Sequence, residues 1–230
     1  MLPPKLTVLF EDKYLLALNK PQGLVTEHEP SLKYTLQSLA LEYIRSKEKY
    51  PQKCFIGVPH RLDRPVSGMV LFAKKKSVLK ELVEIFYRRE IKKTYLAVTD
   101  GRPPKAEGEL INWLVKDTEK RKAIIYDREV RNSMRVELRY QFISQNEYGS
   151  LLRIQLITGK FHQIRAQLAH IGCPIIGDSH YGSTKTYIEN AICLHAESLQ
   201  LIHPMTNESM KPIAETPDDE IWNSFETTNS

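Results

Sequence analysis

Val136-Glu137-Leu138-Arg139-Tyr140-Gln141-Phe142 and, beyond the Tyr148-Gly149 turn, Leu152-Arg153-Ile154-Gln155-Leu156 are the stretches that decide the fold class. In both, apolar side chains alternate with polar ones. Alternation puts every second side chain on the same face of a β-strand, so each stretch reads as a strand with one face in the core and the other in water. Two such strands joined by a short turn pair antiparallel, the arrangement that tolerates a wet face.

The rest of the chain can be read around that pair. Gly68 to Ala73 is a continuous apolar run, which predicts a buried strand, and Thr94 to Val98 predicts another. Leu6 to Phe10 and Tyr14 to Leu18, separated by Glu11-Asp12-Lys13, predict two paired strands that open the domain and end at the turn Asn19-Lys20-Pro21-Gln22-Gly23. Leu36, Leu39, Ala40, Tyr43 and Ile44 recur at helical spacing between Thr35 and Lys49. So do Leu79, Leu82, Val83 and Phe86 between Ser77 and Arg89, with Ser77 as the expected N-cap. Phe161 to Ile171 fits a helix carrying His162 and Arg165 one turn apart on its polar face, and Ala191 to Leu201 fits a late strand. Strands outnumber helices and mostly pair antiparallel. The expected fold is α+β, a central mixed, mostly antiparallel sheet flanked by a few helices.

With 230 residues, 41% of them hydrophobic, the chain can bury a sizeable core. No Gly/Ser-rich or Pro-rich linker divides it. A single catalytic domain over residues 1–230 is expected, its core running from about 6 to 204, with loose ends at Met1 to Pro4 and in the polar tail from about 217. No apolar run approaches the ~20 residues that span a bilayer, and the start of the chain lacks a basic-then-apolar leader, so a soluble, cytoplasmic protein is expected. Cys54, Cys173 and Cys193 are odd in number and widely spaced, which reads as buried reduced thiols rather than bridges.

A net charge of +5 and an isoelectric point near 9.0 suit a polyanionic partner. Basic residues gather at Lys74 to Lys76, Arg88 to Lys93, Lys120 to Lys122 and Arg128 to Arg135, with Tyr87, Tyr95 and Tyr126 among or beside them. Cations beside aromatic faces could hold a phosphate backbone and stack an unpaired base. Neither a His-Glu-x-x-His pair, a Cys/His ligand set nor a Gly-rich phosphate loop occurs, so no metal and no cofactor are expected.

Chemistry concentrates in Pro59-His60-Arg61-Leu62-Asp63-Arg64-Pro65-Val66-Ser67-Gly68. Here one carboxylate stands between two arginines just before a buried strand. Nearby positive charge favours the ionised form of a carboxylate, which suits nucleophilic or general-base work.

Together with Lys20-Pro21-Gln22-Gly23-Leu24, Lys93-Thr94-Tyr95-Leu96-Ala97 and Thr158-Gly159-Lys160-Phe161-His162-Gln163-Ile164-Arg165, this segment closely resembles the RluA-type family of RNA pseudouridine synthases, with the motifs in the expected order from about Leu6 to Pro204. The resemblance implies a cofactor-free isomerisation, in which a uridine of RNA has its base detached, turned and rejoined to the ribose through carbon 5. It makes Asp63 the essential catalytic residue, acting at carbon 6 of the ring or at the anomeric carbon. Tyr95 becomes the residue that stacks on the target base, and Arg165 the partner that orients the carboxylate. The resemblance further implies that Arg61 fills the gap left by the flipped nucleotide, whose unstacking costs a few kcal/mol. It implies too that Leu194 packs near the base and that Lys160 and His162 contact the substrate.

Two positions depart from the family pattern: Val66 stands where Thr is common, and Lys160 where Arg is common. Neither touches Asp63, Tyr95 or Arg165. A separate RNA-binding domain ahead of the catalytic one is not expected, since the first catalytic strand already begins near Leu6. The expected partner is an rRNA or tRNA stem-loop bound by a monomer. The competing reading, a non-catalytic RNA-binding module or RNA chaperone on the same scaffold, leaves the set Asp63, Tyr95 and Arg165 without a purpose, because a carboxylate repels phosphate.

Overall fold

In the computed structural model, which describes residues 4–225, the opening strands are β1 (Thr7–Glu11) and β2 (Leu15–Lys20), paired antiparallel with Val8 opposite Leu18. β2 pairs in turn with β3 (Ser67–Ala73), from Leu15 opposite Ala73 to Lys20 opposite Gly68. All of β3 is buried, as its unbroken apolar run requires. Between β2 and β3 lies α1 (Leu36–Lys47), opened by a capping box in which Thr35 and Ser38 each accept the other's backbone N–H. After β3 comes α2 (Lys76–Arg88), which buries Val78 and Leu82. It starts ahead of the expected cap at Ser77, because Leu79 N–H already bonds to the Lys75 carbonyl at 3.0 Å. These elements, with Ala196–Glu215, form one compact unit that ends its first stretch at Lys92.

The second unit takes Lys93–His195 and the chain from Thr216. Its strands are β4 (Lys92–Thr99), β5 (Glu107–Asp117), β6 (Lys122–Tyr126), β7 (Met134–Gln145) and β8 (Ser150–Leu156), laid side by side in the order β4-β8-β7-β5-β6. The alternating stretches are β7 and β8, antiparallel as read, with Leu138 opposite Leu156, Tyr140 opposite Ile154 and Phe142 opposite Leu152. Val136, Leu138 and Tyr140 point into the core while Arg139 and Gln141 reach water. The pairings of β4 with β8 and of β5 with β6 and β7 are antiparallel too.

Strands β5 and β6 were not legible as such. In β5 the inward position before Leu114 is Asn112, so a polar residue occupies a core site and the apolar alternation is broken. Helix α3 (Gln163–His170) is shorter than the spacing predicts, because His162 has φ +51° and caps the helix from the left-handed region instead of joining it. β9 (Leu194–Ile202) follows, and β10 (Ser209–Met210) pairs with it through Met210 opposite Leu201.

The chain after Pro217, read as a loose polar tail, is folded as far as Phe225. Asp219 caps α4 (Glu220–Asn223) by accepting from the N–H groups of Ile221 and Trp222, and Trp222 and Phe225 are buried. Burial of those two aromatics outweighs the polar composition around them. Residues 1–3 of the other expected loose end, and 226–230, lie outside the described residues. The three cysteines are free, Cys173 and Cys193 buried and Cys54 only half-buried. Ten strands and four α-helices among the described residues make the fold α+β. No helix among them is long and apolar enough to cross a membrane.

Candidate active site

In the first unit, the segment around Asp63 is clamped by the turn that follows β2. Gly23 N–H donates to the Arg64 carbonyl at 2.9 Å, and Arg64 Nε returns a bond to the Gly23 carbonyl at 3.1 Å. On the other side of Asp63, the Thr26 hydroxyl donates to the Leu62 carbonyl at 3.0 Å and accepts from Leu62 N–H at 3.3 Å. Asp63 closes its own turn by accepting Val66 N–H on its carbonyl at 3.1 Å. Both backbone neighbours of the carboxylate are thereby tied to residues 23–26.

Beneath this clamp sits Lys20, fully buried, its Nζ donating to the carbonyls of Leu24 at 2.8 Å, Pro21 at 3.0 Å and Arg64 at 3.2 Å. Burial pulls its pKa down from 10.5 to about 7, and the negative charge of Asp63 works against that pull. Of the two arginines that flank Asp63 in the sequence, Arg61 pairs with Glu27 at 2.8 Å on the surface, and Arg64 Nε bonds to the Gly23 carbonyl. His60 anchors the segment from behind, accepting Leu71 N–H at 2.9 Å while stacking on Phe86. At Gly68, with φ +113°, a Cβ would stand 2.3 Å from the Ala196 carbonyl oxygen, so only glycine lets β3 pass its neighbour.

The second unit holds the other expected residues. Tyr95 lies in the middle of β4 opposite Ile154 and is almost wholly buried. Arg165 is buried on α3 and forks onto Asp178, Nε to Oδ2 at 2.7 Å and Nη2 to Oδ1 at 2.9 Å. Its guanidinium also lies over the Tyr181 ring, 5.0 Å from the centroid. The Tyr181 hydroxyl accepts Ala123 N–H at 2.7 Å and meets His162 Nδ1 at 3.0 Å, so one tyrosine links His162, Arg165 and β6. Burial, with the charge of Arg165 adding to it, lowers the His162 pKa from 6.5 to about 3. The imidazole is therefore neutral at physiological pH, stacked on Phe161 with centroids 3.7 Å apart. Lys116 lies over Phe161 and Lys122 over Tyr181, a local pairing of cations with rings.

Helix α3 is fixed by a buried relay of amides. Thr158 donates to Gln163, Gln163 to Gln167, Gln167 to Asn112 and Asn112 to Asp127, at 2.8, 2.9, 2.8 and 3.2 Å. Each amide gives on one side and receives on the other, so the chain satisfies polar groups that burial would otherwise penalise. Lys160 is exposed, its backbone N–H bonded to Gln163 Oε1 at 3.1 Å, and Leu194 is buried at the start of β9. Of the aromatics expected beside basic runs, Tyr87 and Tyr126 are exposed.

A profile of RNA pseudouridylate synthases matches residues 14–170, a span that holds Lys20, Asp63, Tyr95, His162 and Arg165. The chain belongs to the RNA pseudouridylate synthase family. Among the family's curated members, the dual-specificity RNA pseudouridine synthase RluA of Haemophilus influenzae is 31% identical over 91% of this chain and 92% of its own length. The ribosomal large subunit pseudouridine synthase C of Buchnera aphidicola is 31% identical over 88% of this chain, which spans only 64% of that relative's length. The fold is that of human RNA pseudouridylate synthase domain containing 4, at a TM-score of 0.75, 23% identity and coverage of 92% of this chain and 88% of that one.

Three residues bonded to the expected segments escaped the sequence reading. Asp178 and Tyr181 lie in Gly177-Asp178-Ser179-His180-Tyr181-Gly182, where two glycines with positive φ bracket a single turn of 3₁₀ helix, and that spacing was the available signal. A Cβ at Gly177 would come within 2.7 Å of Tyr187. Lys20 was visible only as part of a motif, since nothing in its spacing announces a buried amine.

Proposed function

We propose that this protein isomerises specific uridines of structured RNA to pseudouridine, with Asp63 as the essential catalytic residue. The observation that carries the reading is the family match across residues 14–170, which includes the Asp63 segment. The clamp on Leu62 and Arg64 supports it, since a reacting carboxylate has to be held in one orientation. The reaction breaks the bond between ribose and N1, turns the uracil and forms the bond from the anomeric carbon to carbon 5, with the carbon 5 proton given up and one proton taken up by N1. Nothing is oxidised or reduced and no atom is gained, so the isomerisation calls for no cofactor.

In this reading Tyr95 stacks on the target base, Arg165 orients the carboxylate, Arg61 occupies the vacated place in the stack, and Leu194, Lys160 and His162 contact the nucleotide. The two units serve a single catalytic domain that acts as a cytoplasmic monomer. The names of the relatives, a large-subunit synthase and a dual-specificity synthase, support an rRNA or tRNA stem-loop as substrate.

Pseudouridine mapping of total RNA from cells with and without the protein tests this, with wild type or Asp63→Ala added back. A site lost in the deletion and restored by the wild type alone is the expected result. Full restoration by Asp63→Ala would remove Asp63 from the chemistry, and no change in any RNA class would leave an RNA-binding role.

A further inference from the structure

In the first unit, β2 and β3 run side by side from Lys20 and Gly68, at the end that carries Asp63, to Leu15 and Ala73, roughly 17 Å of strand away. Three stretches of chain meet at that far end. Glu11, which closes β1, takes Lys47 of α1 on one carboxylate oxygen and Lys74, just after β3, on the other, both at 2.9 Å. The Lys74 N–H bonds to the Tyr14 carbonyl at 2.8 Å. From α1 the chain passes through a single 3₁₀ turn, Pro51–Lys53, to Gly57, which bridges to Ala73. Residues 11–14, 43–53 and 74–76 hold eight lysines and arginines against three acidic residues, an excess equal to the +5 of the whole chain. The remaining sequence is balanced, so the net positive charge belongs to this end of the unit.

Glu11 is spent on its two lysines and Asp12 on His203, at 3.1 Å. Four other lysines have no carboxylate partner among the described residues and lie over tyrosine rings instead. Lys13 and Lys75 stand 5.8 and 4.6 Å from the centroid of Tyr14, and Lys49 and Lys53 stand 5.7 and 5.2 Å from that of Tyr50. A ring attracts a cation through its face and accepts none of its hydrogens in a directed bond, so each ammonium keeps its donors for an incoming acceptor. Tyr50 is 57% exposed, which leaves its ring open to a stacking partner. We propose that this end of the first unit is a second RNA-binding surface, apart from the Asp63 segment, where Lys13, Lys49, Lys53 and Lys75 hold phosphates of the RNA flanking the target and Tyr50 stacks on an unpaired base. Cations alone would suit an acidic protein as well; an exposed ring between two of them suits a single strand, which offers phosphates and bases together.

The inference rests on the reading of RNA as the substrate, and binding can be measured without turnover. The probe is a fluorescein-labelled RNA stem-loop with single-stranded flanks, titrated with the full chain across a salt series. Combining Lys13→Gln, Lys49→Gln, Lys53→Gln and Lys75→Gln should weaken binding roughly tenfold and flatten the salt dependence by about two to three powers of salt concentration. The control carries the same loss of charge at exposed lysines elsewhere, Lys5→Gln, Lys80→Gln, Lys105→Gln and Lys211→Gln, and should bind within about twofold of the wild type. Equal weakening in the two sets, or none in the first, overturns the surface. Tyr50→Ala should cost roughly fivefold and Tyr50→Phe almost nothing, since stacking needs the ring and not the hydroxyl; equal affinities for Tyr50→Ala and wild type overturn the stacking role. On RNA from cells lacking the protein, the fourfold variant should raise the RNA concentration that half-saturates pseudouridine formation and leave turnover at saturation unchanged, because these residues lie a strand length from Asp63. Reduced turnover at unchanged half-saturation overturns the separation from the catalytic end. If the wild type modifies no RNA, the proposed function fails while the binding series still decides the surface.

Discussion

Arg165 grips Asp178 with two parallel hydrogen bonds, and 8% of one side chain and 1% of the other is exposed. A planar guanidinium matched to a carboxylate in this way is fixed in rotation as well as position. Removing one member of a buried pair costs about 3–5 kcal/mol. Asp178→Ala should therefore lower the urea midpoint substantially, with Asp178→Asn falling between it and the wild type. An unshifted midpoint in Asp178→Ala would mean the fork contributes nothing to the fold.

How much of this was legible in the sequence depended on which force set each feature. Strands β7 and β8 were readable because core and water impose opposite demands on alternate residues, and β3 because burial on both faces demands an unbroken apolar run. Asn112 hid β5: its place in the amide relay is set by Gln167 and Asp127, remote in sequence. The bonds of the two arginines beside Asp63, Arg61 to Glu27 and Arg64 to Gly23, were not legible, because their partners lie 34 and 41 residues away and nothing local marks them. Tyr187 bonding to Asp219 and Trp222 packing at the edge of His195 likewise join residues far apart in the chain, which is why the segment after Pro217 read as a tail.

His162 should remain neutral throughout the pH range in which the protein works. Its pKa of about 3 lies below the ordinary 6.5, first because it is buried and then because Arg165 is close. Nitrogen-15 NMR of the imidazoles should show no titration of His162 between pH 5 and 8. The same depression means that the unfolded chain binds this proton more readily between pH 6.5 and about 3, so His162 withdraws stability as pH falls through that window. A midpoint near 6.5 would contradict the described burial.

Glu27 holds the Arg61 guanidinium at 2.8 Å, with both groups well exposed. If Arg61 enters the RNA stack, that pair has to open first, and the carboxylate also opposes an approaching phosphate. Glu27→Gln should tighten RNA binding by roughly two- to fivefold, in line with the modest strength of surface pairs. Filter binding across a salt series measures this. Weaker binding by Glu27→Gln would show instead that the pair presents Arg61 in its working orientation.

The depressed pKa of Lys20 has a consequence for stability whose sign is fixed. Unfolded, the amine titrates near 10.5; folded, near 7, because burial disfavours the cation more than Asp63 restores it. Between those values the unfolded chain binds more protons than the folded one, so the free energy of unfolding rises with pH from about 7 to 10.5 and falls back as pH returns toward 7. Other groups titrate in the same interval, and the comparison with Lys20→Met isolates this one. Urea denaturation at pH 7, 8.5 and 10 should show the wild type gaining on the variant at each step, by an amount on the order of 1 kcal/mol or more over the series. Parallel curves would mean that Lys20 titrates alike in both states and is not held in the dry environment that its three carbonyl partners define.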